Sequence, residues 1–247
     1  MRFYGSLDYV MRLLLFRCRP VSQHDGNLYK QSPEGTLRMN ILRISCSPRG
    51  PEAESFRLSQ YLVDTLCAAH GTSTVTECDV SALAHPDAAY ADTLGGRAPS
   101  TAAGAERGAL DRSAALIGQL QAADCVVIAT PMHNYTVPSG LKAWIDHVVR
   151  IGVTFDGTPQ GKIGRLPDRP VYIAISSGGQ FSGDLARQPD FLTPYLRAVL
   201  ETIGLKSVSF YSVEGTVRGA QALAEAHERA NAAISADLAS VVAARSA

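Results

Sequence analysis

Two runs without a polar interruption, Cys125-Val126-Val127-Ile128-Ala129 and Val171-Tyr172-Ile173-Ala174-Ile175, constrain this chain more than any other feature. A strand with one wet face alternates apolar and polar residues. Five consecutive apolar residues do not alternate, so both faces must be covered, as in a parallel sheet held between two layers of helices. The rest of the chain supplies such layers. Residues 40–45 and 72–80 read as further strands, and 205–213 as a fifth. Residues 54–70 read as a helix with Leu58, Leu62 and Leu66 on one face; residues 113–123, 138–152, 190–204 and 218–245 read as four more. Residues 81–111 and 153–169, rich in Gly and Pro, read as connections with little regular structure. Five strands alternating with helices predict an α/β, doubly wound five-stranded parallel sheet.

The whole-chain numbers exclude several classes. With 23 basic and 23 acidic residues the formal charge is zero, so no basic field points to nucleic acid. No apolar run approaches the ~20 residues that span a bilayer. The five cysteines are odd in number and widely spaced, without a C-x-x-C, and no H-x-x-x-H pair occurs. That predicts no metal site, no disulfide framework and a reducing compartment, the cytoplasm. Residues 1–38 carry six basic and three acidic residues against 17 and 20 in the remainder. They read as an N-terminal extension outside the fold, and residues 39–247 as the domain.

In an open parallel sheet, ligands sit beyond the carboxyl ends of the strands. Three such ends are chemically unusual. The first, residues 45–55, runs from a strand into a helix start, where free N–H groups and the helix dipole favour an anion. Ser47 and Ser55 add hydroxyls, and neither a G-x-G-x-x-G nor a G-x-x-x-x-G-K-[ST] is present, so a phosphate monoester fits better than a dinucleotide or Walker-type phosphate. The Glu54 carboxylate should point away from such an anion, leaving its N–H useful. The second end, Met132-His133-Asn134-Tyr135, offers polarizable and flat groups with one amide, suited to a planar ring with polar edges. The third, Ser176-Ser177-Gly178-Gly179, lets backbone N–H groups approach a ligand closely. Read singly, each fits an ordinary turn; read together, a phosphate cradle and two loops around a planar heterocycle describe a flavin mononucleotide (FMN) site.

The same segments carry a family resemblance. "SPRGPEAESFRLS", "PMHNYTVPSGLKAWID", "RIGVTF", "SSGG" and "TPYLRAVLETIG" are similar to motifs of the flavodoxin-like FMN-dependent NAD(P)H:quinone oxidoreductases, often called azoreductases, over residues 39–239. The resemblance implies sheet order 2-1-3-4-5, non-covalent FMN at the switch point, and a homodimer. It implies that Ser47 and Ser55 hold the phosphate beside the backbone of Ala53 and Glu54. Met132, His133, Asn134 and Tyr135 would lie along the ring and ribityl edge, and Ser176, Ser177, Gly178 and Gly179 would meet the pyrimidine side. NADH or NADPH and a quinone or azo compound would then use one face in turn. The flavin would do the chemistry, with His133 and Asn134 the nearest candidate catalytic side chains. An FMN reductase supplying a partner, or a flavodoxin-type carrier, stand as alternatives. Three positions depart from the family pattern: Ala53 replaces a serine, His133 a tyrosine, and Tyr135 a phenylalanine.

Overall fold

The structure, a computed structural model, describes residues 30–31, 37–95 and 106–245. Its centre is a parallel sheet of β1 (Leu37–Ser45), β2 (Ser73–Asp79), β3 (Cys125–Pro131), β6 (Val171–Ser177) and β7 (Val208–Glu214), in the order β2-β1-β3-β6-β7. Two short strands, β4 (Phe155–Thr158) and β5 (Gly161–Gly164), form a separate antiparallel hairpin. Counting the parallel strands alone, the order is the expected 2-1-3-4-5.

The helices are α1 (Glu54–His70), α2 (Ala88–Leu94), α3 (Glu106–Ala122), α4 (Ser139–Val148), α5 (Leu192–Thr202) and α6 (Ala220–Arg245). Side-chain alternation along each strand divides the core. Leu42, Ile44, Val126, Ile128, Ile173 and Ile175 pack with Leu120, Leu141, Trp144, Leu196 and Leu200 of α3, α4 and α5. Ile41, Val127, Tyr172 and Val213 pack with Leu58, Leu62, Leu66, Ile234 and Leu238 of α1 and α6. Both faces of β3 and β6 are therefore dry, which is why their sequences carry no polar phase.

Three connections differ from expectation. Residues 81–111 are not irregular: α2 forms within them, its N-terminus capped by Asp87, whose carboxylate accepts from the Tyr90 N–H at 2.8 Å, and α3 starts at Glu106, seven residues before the expected 113. Residues 96–105 lie outside the described residues. Residues 153–169 contain the β4–β5 hairpin, tied to the end of α5 by a Leu166 N–H to Ile203 O bond of 3.0 Å. The helix expected over 138–152 stops at Val148, because the Thr154 hydroxyl takes the Val148 carbonyl at 2.6 Å. At the other end, β1 starts at Leu37, two residues ahead of the expected domain boundary, and Lys30–Gln31 pairs antiparallel with Arg38 and Leu37. The rest of the expected extension, residues 1–29 and 32–36, lies outside the described residues.

Candidate functional site

The register aligns the carboxyl ends of β1, β3, β6 and β7: Ser45 pairs with Ala129, Pro131 with Ser176, and Ser177 with Glu214. The three unusual loops therefore emerge along one edge of the sheet.

After β1, Cys46 N–H and Sγ both bond Ala129 O, at 3.2 and 3.1 Å, so the first loop leaves against the root of the second. The chain turns at Gly50 (φ 52°), which holds a left-handed conformation that costs glycine little. The single 3-10 turn Gly50–Glu52 then delivers the chain to α1. No side chain caps α1, and among the described residues the N–H groups of Glu54, Ser55 and Phe56 find no backbone acceptor. The Ala53 N–H is committed to Gly50 O at 3.1 Å, so Ala53 contributes no free donor in this arrangement. Ser55 is fully buried (0% exposed), and its Oγ has no hydrogen-bond partner. A buried hydroxyl without a partner costs about 1–3 kcal/mol. The Ser47 Oγ, also buried, accepts the Arg49 N–H at 3.3 Å and keeps its own proton to donate. Glu54 does turn away: its carboxylate meets His227 Nε2 at 2.7 Å and Arg57 Nη1 at 3.2 Å.

After β3 the chain makes a two-residue turn. His133 and Thr136 exchange both backbone bonds, at 2.9 and 3.0 Å, around Asn134 (φ 48°) and Tyr135 (φ 69°). Two successive positive φ values define a type I′ turn. Asn tolerates that conformation; for an aromatic residue it is strained, and such strain concentrates at functional sites. The turn presents the Tyr135 side chain to solvent (47% exposed), with His133 and Asn134 exposed beside it. Phe191 N–H holds the Tyr135 carbonyl at 3.1 Å.

The third loop is stitched to the second by Met132 N–H to Ser176 O, 2.8 Å. Ser176 and Ser177 are buried, and among the described residues the N–H groups of Gly178 and Gly179 have no acceptor. Glu214, at the end of β7, braces the continuation: its carboxylate accepts from Phe181 N–H at 2.7 Å, Ser182 Oγ at 2.6 Å and Ser212 Oγ at 2.8 Å. Ser47, Ala53, Glu54, Ser55, Met132, His133, Asn134, Tyr135, Ser176, Ser177, Gly178 and Gly179 thus all lie at the carboxyl ends of the parallel strands or in the loops that leave them. Sequence reading misses Gln188, Phe191 and Glu214, which stand in no motif and act through contacts set by the fold.

An α/β sandwich of this strand order, with a donor-rich, uncapped helix start and two further loops at the carboxyl ends of its parallel strands, has the flavodoxin-like architecture. The sequence profile of the flavodoxin-like fold matches residues 39–238. FMN-dependent NADH:quinone oxidoreductase 4 of Pseudomonas fluorescens is 42% identical over 198 residues, covering 79% of this chain and 94% of the relative. FMN-dependent NADH:quinone oxidoreductase 2 of Cupriavidus pinatubonensis is 43% identical over 193 residues, covering 78% and 94%. An FMN-dependent NADH-azoreductase from Bacillus anthracis str. Ames Ancestor, solved in complex with FMN, superposes with a TM-score of 0.67 over 80% of this chain and 98% of that one, at 20% identity. The chain belongs to the flavodoxin-like family of FMN-dependent NADH:quinone oxidoreductases.

Proposed function

We propose that this chain is an FMN-dependent oxidoreductase that passes two electrons from NADH to quinones and cleaves azo compounds reductively. The observation that carries the reading is the unpartnered, buried Ser55 hydroxyl beside the three free N–H groups that open α1. Hydroxyls and unpaired main-chain donors at one helix start suit a phosphate monoester, and the adjoining loops suit the ring attached to it. Bound FMN supplies a two-electron relay between a nicotinamide and an acceptor.

The protein's part is binding and orientation. Ser47, Ser55 and the N–H groups of Glu54 and Ser55 hold the phosphate, while His227 and Arg57 keep the Glu54 carboxylate out of its way. Met132 to Tyr135 line the ring on one side. Ser176 to Gly179 would meet its pyrimidine side, where the unpaired N–H groups of Gly178 and Gly179 would stabilise negative charge on the ring. Exposed Tyr135 and Phe191 (60% exposed) border the face left for donor and acceptor. No side chain beyond these is needed as a general acid.

NADH as donor follows the activity for which the relatives are named. A homodimer accords with the exposed Ile151 (53%) and Ile163 (58%), apolar side chains left on the hairpin side of the domain. Free Cys46, Cys67, Cys78 and Cys125 accord with a reducing, cytoplasmic setting. Among the described residues no helix is long and apolar enough to cross a membrane, and no cluster of ligating side chains suited to a metal ion is present. The catalytic domain is read as residues 39–247 together with Leu37 and Arg38 at the start of β1 and the short Lys30–Gln31 pairing on that strand.

The test is the visible spectrum of the purified chain. It should be yellow, bleach with NADH under anaerobic conditions and recolour with a quinone. A chain that stays colourless after incubation with excess FMN overturns the reading.

A further inference from the structure

Gln188 lies in the connection between β6 and α5, and its side-chain amide spans two loops of the site. Nε2 donates to Met132 Sδ at 3.1 Å and to Ser177 Oγ at 3.1 Å. A primary amide has two N–H donors, and here one goes to each loop: Met132 follows β3, and Ser177 ends β6. The backbone sets the reach of this bridge, since Arg187 N–H and Gln188 N–H both bond Gln180 O, at 2.8 and 3.3 Å. The carbonyl end, Oε1, lies 2.2 Å from where a Cβ on Gly179 would stand, so a side chain at 179 would force the amide to shift. Ser177 Oγ, accepting from Gln188, is 4.0 Å from Met132 Sδ, which closes a triangle of three side chains from three separate positions in the sequence.

We propose that Gln188 is a positioning residue for the ring-binding half of the site: it sets the separation of the Met132 and Ser177 loops, and Gly179 is glycine to leave room for it. The proposal rests on the FMN reading above. A thioether is a weak acceptor but a polarizable group. Tying it down therefore does less for binding energy than for where the sulfur lies against the ring. The phosphate cradle at Ser47–Ser55 is untouched by this tie, so loss of Gln188 should alter the ring environment while leaving the cofactor bound.

Two substitutions break the same bridge from opposite ends. Gln188→Met keeps length and removes both donors; Gly179→Ala puts a methyl too close to Oε1 and displaces the amide. Effects that act through one contact do not add. Full-length wild type, the two single variants and the double variant are compared by FMN fluorescence titration and by the absorption envelope of bound flavin. Each single variant should bind FMN about fivefold more weakly, the order of one neutral hydrogen bond. Each should change the flavin envelope, and the double variant should match the stronger single one. An unchanged envelope and affinity in Gln188→Met, or additive effects in the double variant, overturn the proposal. If Gly179→Ala does not fold, as judged by far-UV circular dichroism, Ser177→Ala takes its place in the cycle with the same criterion. A wild type that never binds FMN overturns the flavin reading instead. The bridge is then judged on the cofactor-free melting temperatures of the four proteins, where additivity overturns it.

Discussion

His227 Nε2 lies 2.7 Å from Glu54 Oε2, so α6 takes hold of the carboxylate at the first residue of α1. The other carboxylate oxygen meets Arg57 Nη1 at 3.2 Å. This pairing answers a difficulty posed by the sequence, an acidic residue inside the segment that should hold an anion. Charges at a helix start are worth about 0.3–1 kcal/mol, enough to weaken or strengthen phosphate binding severalfold. His227→Ala releases the carboxylate and should raise the FMN dissociation constant about two- to fivefold. Glu54→Gln, which removes the charge, should bind FMN at least as tightly as wild type. Fluorescence titration of both variants decides it; weaker binding in Glu54→Gln would show that the carboxylate helps rather than hinders.

Ser55→Ala separates folding from binding. The hydroxyl is buried and unpartnered, so its removal should leave the melting temperature of the cofactor-free chain unchanged or raise it. Against a phosphate the same hydroxyl makes a charge-assisted bond worth about 1.5–3 kcal/mol, so FMN affinity should fall roughly 10- to 100-fold. A variant that melts lower yet holds FMN normally would place Ser55 in the core rather than in the cradle.

Of the five parallel strands, β3 and β6 are legible because burial on both faces leaves an unbroken apolar run, the other three because short β-branched or alternating segments lie between turn residues and helical patterns, and the loops because Gly178, Gly179, Ser55 and the Met132–Tyr135 segment are chemically out of place in plain connections. The helix α2 is not legible: its core contact is Tyr90, whose hydroxyl reaches Asp146 O at 3.3 Å, and one aromatic makes no periodicity. The β4–β5 hairpin escapes notice for a related reason, since its strands are mostly exposed and contain Gly157, Gly161 and Gly164. Gln188 and Glu214 are invisible because the contacts that matter, Gln188 to Met132 and Glu214 to Phe181 and Ser182, join residues more than 30 positions apart that only the fold brings together.

Asp168 makes stability depend on acidity. Burial alone would raise its carboxyl, but bonds from Ser207 N–H and Oγ, Lys206 N–H and Arg169 N–H outweigh that and hold it below the ordinary carboxylate value. Those bonds, at 2.7–3.0 Å, anchor the chain entering β7. A carboxyl depressed in the folded state stabilises fully above its unfolded pKa of about 3.9 and loses that contribution as pH falls through its lower folded value. Asp168→Asn should therefore melt below wild type at pH 7, with the gap closing as the pH drops below about 4. Melting curves from pH 7 to pH 3 test this; a gap that is constant with pH would remove Asp168 ionisation from the account.

The thiols should sort by environment. Burial pushes the Cys46 and Cys125 thiols up to about 12 and the Cys78 thiol to about 11. Thiolate is the reactive form, so at pH 8 only about one part in 10³–10⁴ of these groups is competent to react, and each is also screened from reagent by packing. Cys67, on the partly exposed flank of α1, is open to reagent in the native chain. Brief treatment of the native chain with iodoacetamide at pH 8, followed by peptide mass mapping, should label Cys67 first among these four. The other three should react only after denaturant is added. Early labelling of Cys46 would be the telling exception, because its Sγ is bonded to Ala129 O, and reaching it requires the first and second site loops to part.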